Sequence, residues 1–179
     1  SAVDLVQHPE NPEILYASMW ERMRGLDYRR SGGESSGVYK TEDGGDTWFE
    51  LTNGLPTHEF VGRIGLTISH SNPDVLYAFY DKQMEPGDSY SYLGIFKTTN
   101  GGTLWQQTND SNLYDMNASF GWYFGQIHVD PSDENMVFAL GVDLVRSTNG
   151  GASWQQIAGY WNTDEIHVDH HAIVIDPNT

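Results

Sequence analysis

Three octapeptides constrain this chain more than any other feature of it: TEDGGDTW at 41–48, TTNGGTLW at 98–105 and STNGGASW at 147–154 share one template. A hydroxyl residue opens each copy and Asp43, Asn100 or Asn149 follows two positions later. A Gly-Gly pair ends at Gly45, Gly102 or Gly151, and Trp48, Trp105 or Trp154 closes the copy. The tryptophans stand 57 and then 49 residues apart, close to the period of β-propeller blades, whose units run about 40 to 50 residues.

The residues upstream repeat as well. LVQHPENPEILYASM, LTISHSNPDVLYAFY and IHVDPSDENMVFALG each read as strand, Pro/Asn/Asp turn and second strand, and a fourth copy begins at AIVIDPNT. The second strand of each carries an unbroken apolar run, at 14–17, 75–78 and 136–139. Short unbroken runs bounded by turn residues indicate strands buried on both faces. No segment keeps helical spacing. The expected fold is all-β: a partial β-propeller of about three four-stranded blades plus the start of a fourth. The units are about 1–56, 57–115, 116–162 and 163–179. In the first, the strands are expected at about 3–7, 13–19, 37–41 and 47–52.

Each octapeptide is then the hairpin between third and fourth strands. Gly-Gly suits a turn that needs positive φ, and the Asp or Asn side chain can accept hydrogen bonds from turn amides. The tryptophan is expected to pack against the next blade. A calcium loop would need several carboxylate oxygens in every copy. Asp43 and Asp46 supply them in the first, but the second has Asn100 and Thr103 and the third Asn149 and Ala152. Turn chemistry explains every kept position, so the motif reads as structural.

These octapeptides resemble the Asp-box (BNR) hairpin of sialidases, sortilin-type propellers and xyloglucan-cleaving glycosidases. Longer stretches, such as YASMWERMRGLDYRRSGGESSGVYKTEDGGDTW and WYFGQIHVDPSDENMVFALGVDLVRSTNGG, resemble the sortilin-like BNR-repeat group of large bacterial proteins, often labelled glycosyl hydrolase or exo-alpha-sialidase. The resemblance implies a propeller with more blades than these, without implying a particular reaction. Three units and a stub do not close a ring, since propellers have at least about four blades. Exposed end blades are therefore expected to self-associate or to meet the remaining blades of a larger parent chain.

Charge and composition narrow the partners. Lys and Arg total 9 against 25 Asp and Glu, for a formal net charge of −16, which argues against nucleic acid. No apolar run is long enough for membrane insertion as a helix. Cysteine is absent, so there is no disulfide and no thiolate site. With abundant Gly, Asn, Trp and Tyr, this suits a secreted or periplasmic bacterial protein. No cofactor is expected.

Four of the nine basic residues, Arg22, Arg24, Arg29 and Arg30, lie in one segment between the second and third strands of the first unit. Guanidinium forks match carboxylates, so this segment could grip an acidic sugar or peptide; alternatively the arginines pair with the acidic surface around them. A sialidase draws its arginine triad from separate blades, which counts against that activity. Aromatic residues outside the octapeptides (Trp20, Tyr90, Tyr92, Trp122, Tyr123, Tyr160 and Trp161) suit either sugar stacking or filling between blades. The HVDHH segment at 167–171 invites a zinc reading through His167, Asp169 and His171, but on a strand these would span about 13 Å at roughly 3.3 Å per residue. Hydrogen-bonding histidines are the alternative. Carboxyls are numerous (Asp4, Glu59, Asp81, Glu85, Asp115, Asp164, Glu165), and no pair stands out as the two that glycoside hydrolysis requires. Two Asn-x-Ser sequons begin at Asn109 and Asn117. The expected function is a polysaccharide- or protein-binding scaffold module, with part of a propeller-type glycoside hydrolase as the alternative.

Overall fold

In the computed structural model, which describes residues 1–159 and 166–176, three four-stranded antiparallel sheets follow one another along the chain. The first contains β1 (Ala2–Gln7) and β2 (Leu15–Met19). A two-stranded ribbon of β3 (Met23–Arg24) and β4 (Arg29–Arg30) interrupts it before β5 (Gly37–Thr41) and β6 (Phe49–Leu51) complete the sheet. The second comprises β7 (Val61–Ile68), β8 (Leu76–Lys82), β9 (Tyr92–Thr98) and β10 (Trp105–Gln107). The third comprises β11 (Gln126–Val129), β12 (Val137–Leu140), β13 (Leu144–Ser147) and β14 (Gln155–Ala158). Among the described residues the helical content is one short 3₁₀ turn, Ser111–Leu113. The expected first-unit strands are present, with β2 and β6 shorter than the sequence suggested, and the ribbon was not anticipated.

The sheets are stacked face to face, with their first strands β1, β7 and β11 in closest approach. Alternate residues of β8 divide between two cores: Leu76, Ala78 and Tyr80 pack with Tyr16, Val38 and Leu55 of the first unit. Tyr77 and Phe79, with Val75 just before the strand, pack with Ile127, Val129, Val137 and Ala139 of the third. Burial on both faces is what the unbroken apolar runs implied. A far face of the third sheet, Leu140, Leu144 and Ala158, gathers Ile173 from the start of the fourth repeat.

All three octapeptides fold alike. The Thr41, Thr98 and Ser147 hydroxyls donate to Asp43, Asn100 and Asn149 at 2.7, 2.8 and 3.0 Å, and they accept the amides of Gly45, Gly102 and Gly151. The Asp or Asn Oδ1 then accepts an amide four residues on, from Thr47, Leu104 or Ser153, at 2.9 to 3.0 Å. Asn replaces Asp without loss because the bonds shared by all three copies use one oxygen. The second Gly lies at φ 104°, 89° and 89°, the left-handed region where a side chain is strained.

The tryptophans pack in the direction opposite to the one expected. Trp105 joins the core shared with the first unit, and its amide donates to the Asn53 carbonyl at 3.0 Å. Trp154 joins the core shared with the second unit and donates from Nε1 to Thr108 Oγ1 at 3.2 Å. Each ring therefore enters the preceding blade. Among the described residues no blade packs against Trp48, which is 39% exposed, against 1% for Trp105; it lies with Leu5, Ala17, Met19 and Tyr39 in an apolar groove of about 640 Å³. Blade contacts are reinforced by phenols: Tyr16 donates to the Gly101 carbonyl at 3.0 Å and Tyr77 to the Glu134 carbonyl at 2.7 Å.

Trp105→Ala, which empties a fully buried seat, is expected to cost about 3–5 kcal/mol. Trp48→Ala should cost well under half of that. Denaturant unfolding of the two variants measures the difference, and equal losses would contradict the packing direction.

Candidate functional site

The octapeptide turns lie at one end of the sheets; the β2–β5 ribbon, the β8–β9 loop and the unit linkers lie at the other. Arginine is concentrated on the ribbon, which is firmly anchored. The Trp20 indole donates to the Ser31 carbonyl at 2.7 Å, and the Gly33 amide donates to the Val61 carbonyl at 2.9 Å, tying the ribbon's base to the second blade. Gly32 permits this approach, since a Cβ there would stand 2.5 Å from the Val61 carbonyl oxygen. The turn closes with the Gly25 amide on the Tyr28 carbonyl at 2.9 Å.

Across the ribbon Arg24 pairs with Arg29, and Met23 with Arg30. Like charges directly opposite in a sheet are destabilising. The cost is offset by indoles from two parts of the chain. The Arg22 guanidinium lies 4.8 Å from the Trp20 ring centre and 5.2 Å from that of Trp122; the Arg29 guanidinium lies 4.6 Å from Trp122. Such cation–π contacts are worth about 0.5–2 kcal/mol each. Among the described residues, Arg22, Arg24 and Arg29 make no ion pair, whereas Arg30 pairs with Glu21 at 4.0 Å. The three free guanidiniums and Trp122 line an open groove of about 630 Å³ whose single carboxyl is Asp27. Arg22, Arg24, Arg29, Trp20 and Trp122, grouped in the sequence only by residue type, therefore converge.

Trp122 comes from the linker into the third sheet and is held from beneath. The Gly121 amide donates to Ser91 Oγ at 2.9 Å, and Arg63 Nη1 donates to the Tyr123 carbonyl at 3.2 Å. Tyr123 packs edge-on against Phe124 at 5.2 Å and against His171 at 4.8 Å. Arg63 feels Asp4 and Asp81 as well as the repulsion of Arg22, and burial is the largest influence on it, lowering its pKa. Asp81 is fully buried, and neither carboxyl oxygen accepts a hydrogen bond. Burial pushes its pKa well above the usual carboxylate range, against opposing pulls from Ser91, the Lys82 amide and Arg63. Arg63 was missed by sequence reasoning because nothing in VGRIGL distinguishes it from a solvated strand residue.

Known structures share this arrangement of sheets. A YCF48 structure bound to D1 peptide superposes with a TM-score of 0.56 at 14% identity, covering 88% of this chain and 39% of that one. The GH74 xyloglucanase from Xanthomonas campestris superposes with a TM-score of 0.56 at 17% identity, covering 82% and 22%. An ancestral GH74 enzyme gives 0.50 at 18% identity, covering 89% and 24%. The chain is part of a β-propeller. It spans well under half the length of these propellers. No protein-family profile matches the sequence, and no curated protein matches it.

Within the propeller, the other sequence candidates scatter. Tyr90 faces Tyr114 edge-on at 5.2 Å, and Tyr92 is a core residue whose hydroxyl donates to Asp110 at 2.7 Å. Trp161, Tyr160, Asp164 and Glu165 lie outside the described residues. His167, Asp169 and His171 do not share one strand face: Asp169 has φ 77°, and the Asp169 and His170 amides donate to the Val142 and Gly141 carbonyls. Among the described residues no three His, Cys, Asp or Glu side chains form a metal-sized group. Asn117 is fully buried and Asn109 donates to the Ala152 carbonyl, so both sequon asparagines are engaged in the fold. The groove richest in carboxyls, with Glu21, Glu34 and Glu59, has no Trp or Tyr in its lining.

Because the folded Asp81 resists ionisation, its contribution to stability is fullest below the ordinary carboxylate pKa of about 3.9 and is lost as pH rises above it. Asp81→Asn is expected to raise Tm at pH 7 by about 2–4 °C, a gain that shrinks toward pH 4. Calorimetry across that range checks it; a gain that grew on acidification would contradict the assignment.

Proposed function

We propose that this chain is the part of a propeller that binds a carboxylate-bearing partner at its loop end. Arg22, Arg24 and Arg29 are the recognition groups, and Trp20 and Trp122 form the floor that holds Arg22 and Arg29. One observation carries the reading: among the described residues Arg22, Arg24 and Arg29 form no ion pair, and two of them, Arg22 and Arg29, are held on indoles in a chain of net charge −16. Guanidiniums stacked on rings keep their N–H forks free and lose little freedom when a carboxylate arrives, which favours bidentate pairing. Resemblance to the sortilin-like Asp-box group supports a secreted or periplasmic setting in bacteria.

Glycoside hydrolysis is less well supported. Its general acid needs a raised pKa beside the bound sugar. Glu21, in the carboxyl-rich groove, is shifted down instead, first by the Ser35 amide and least by Arg30. Asp81 has the raised pKa but is buried away from any substrate. The apolar groove around Trp48 supports association with a further blade or a second copy.

Citrate and poly-glutamate are expected to bind the chain, with affinity falling steeply between 50 and 200 mM salt. Arg22→Gln combined with Arg29→Gln should weaken binding at least about tenfold, as the loss of charge-assisted bonds implies. Titration calorimetry tests this, and unchanged affinity in the double variant sinks the proposal. Release of reducing ends from xyloglucan would overturn the non-catalytic reading. In light scattering, Trp48→Glu should lower the apparent mass of any oligomer.

A further inference from the structure

We infer that the partner at this site is a protein segment in which carboxylates alternate with apolar side chains, rather than an acidic glycan. The inference rests on the carboxylate reading above and adds the identity of the ligand.

Two observations separate these classes. The first concerns the indole faces. A glycan would stack its CH face on Trp, but Trp20 is buried and both its ring and that of Trp122 are already faced by guanidiniums, at 4.6 to 5.2 Å. Arg22 lies close to both rings and Arg29 adds a second contact on Trp122. The sugar platform is therefore occupied by the groups that would bind the anion. What remains presented to a ligand is N–H donors.

The second is the apolar rim. The ribbon carries Leu26 at its tip, fully exposed, with Tyr28 59% and Met23 41% exposed. Leu26 and Tyr28 line the same groove as Arg24 and Arg29. Hydrophobic side chains at a tip gain nothing from solvent, and Tyr, Met and Arg together are the composition enriched at protein–protein contacts. The ring of Tyr28 lies over Gly25, where a Cβ would stand 2.2 Å from it, so the tip is held in one shape rather than splayed. Preorganised donors beside fixed apolar groups suit a ligand bearing both features at peptide spacing.

Charge limits the length of the anion. Four of the nine Lys and Arg lie between residues 22 and 30, in a chain with 25 Asp and Glu. A uronic-acid polymer, charged at every sugar, would extend from this basic patch into a field of its own sign. A segment with two or three carboxylates and intervening Leu or Phe ends its charge where the arginines end. Asp27, the one carboxyl in the groove, penalises an over-charged ligand further.

The test uses the whole chain and fluorescence anisotropy with labelled dodecapeptides. One alternates Glu with Leu and Phe; a second has Gln for every Glu; a third has Ser for every Leu and Phe. Hexagalacturonate serves as unlabelled competitor. The first peptide should bind at least about tenfold tighter than either of the others and should resist competition by hexagalacturonate. Leu26→Ser with Tyr28→Ser, both exposed positions, should bring the first peptide down to the affinity of the third. Circular dichroism and melting of that variant should match the parent. If the variant binds unchanged, or hexagalacturonate displaces the peptide at equal concentration, the peptide assignment is overturned while the carboxylate reading stands. If Gln peptides bind as well as Glu peptides, or no carboxylate probe binds at millimolar concentration, both fall.

Discussion

An indole ring seated in the preceding blade is the contact on which this structure depends. The second sheet has no solvated face at its second strand, since β8 is buried from both sides by its neighbours. Stability is then a sum of nearest-neighbour interfaces, as in other repeat architectures. The octapeptide turn aims the ring, the Asn53 carbonyl accepts the Trp105 backbone amide while the Thr108 hydroxyl accepts the Trp154 indole N–H, and the tyrosine of the earlier blade reaches forward to the later turn or its neighbouring corner. Small departures follow from this logic. Phe138 stands where Tyr16 and Tyr77 stand in the earlier repeats, and among the described residues it packs, as Ile157 and Ile173 do, on the cluster of Leu140, Leu144 and Ala158.

With stability placed between the blades, the loop end is free to hold groups that a core would reject. Half-buried Arg63 and Asp4 and the fully buried Asp81 lie within electrostatic reach of one another under the Trp122 segment. Burial of Asp81 outweighs the pulls of Ser91, the Lys82 amide and Arg63 on its ionised form, so the arrangement weakens the fold locally. Above it, the arginine ribbon sets like charges opposite each other and leans on indoles for compensation. Both features work against folding, the usual signature of a surface shaped by something other than stability.

Much of the fold was legible because turn chemistry and burial are local. Gly45, Gly102 and Gly151 mark left-handed positions, and the hydroxyl–Asp/Asn pairs mark the bonds that close each turn. The direction of the tryptophans was not legible, since a repeat read along the chain looks the same whether each unit grips its successor or its predecessor. The HVDHH segment misled for a related reason. Strand alternation was assumed there, yet its backbone bonds to the turn at 141–142 and not to a neighbouring strand. The ribbon of β3 and β4 was not legible, because four residues of pairing leave no periodic trace.

By itself the sequence determined the all-β class, the number of repeats, the turn that ends each and the clustering of arginines, all of which rest on residues near one another in the chain. Tertiary structure alone decided that Trp122 lies under Arg22 and Arg29, roughly a hundred residues away, and that Asp81 lies near Arg63. Those contacts depend on the angle at which successive sheets fan around one axis. That angle is set by the volumes of side chains packed between blades, a quantity shared among distant residues and carried by no single stretch of them.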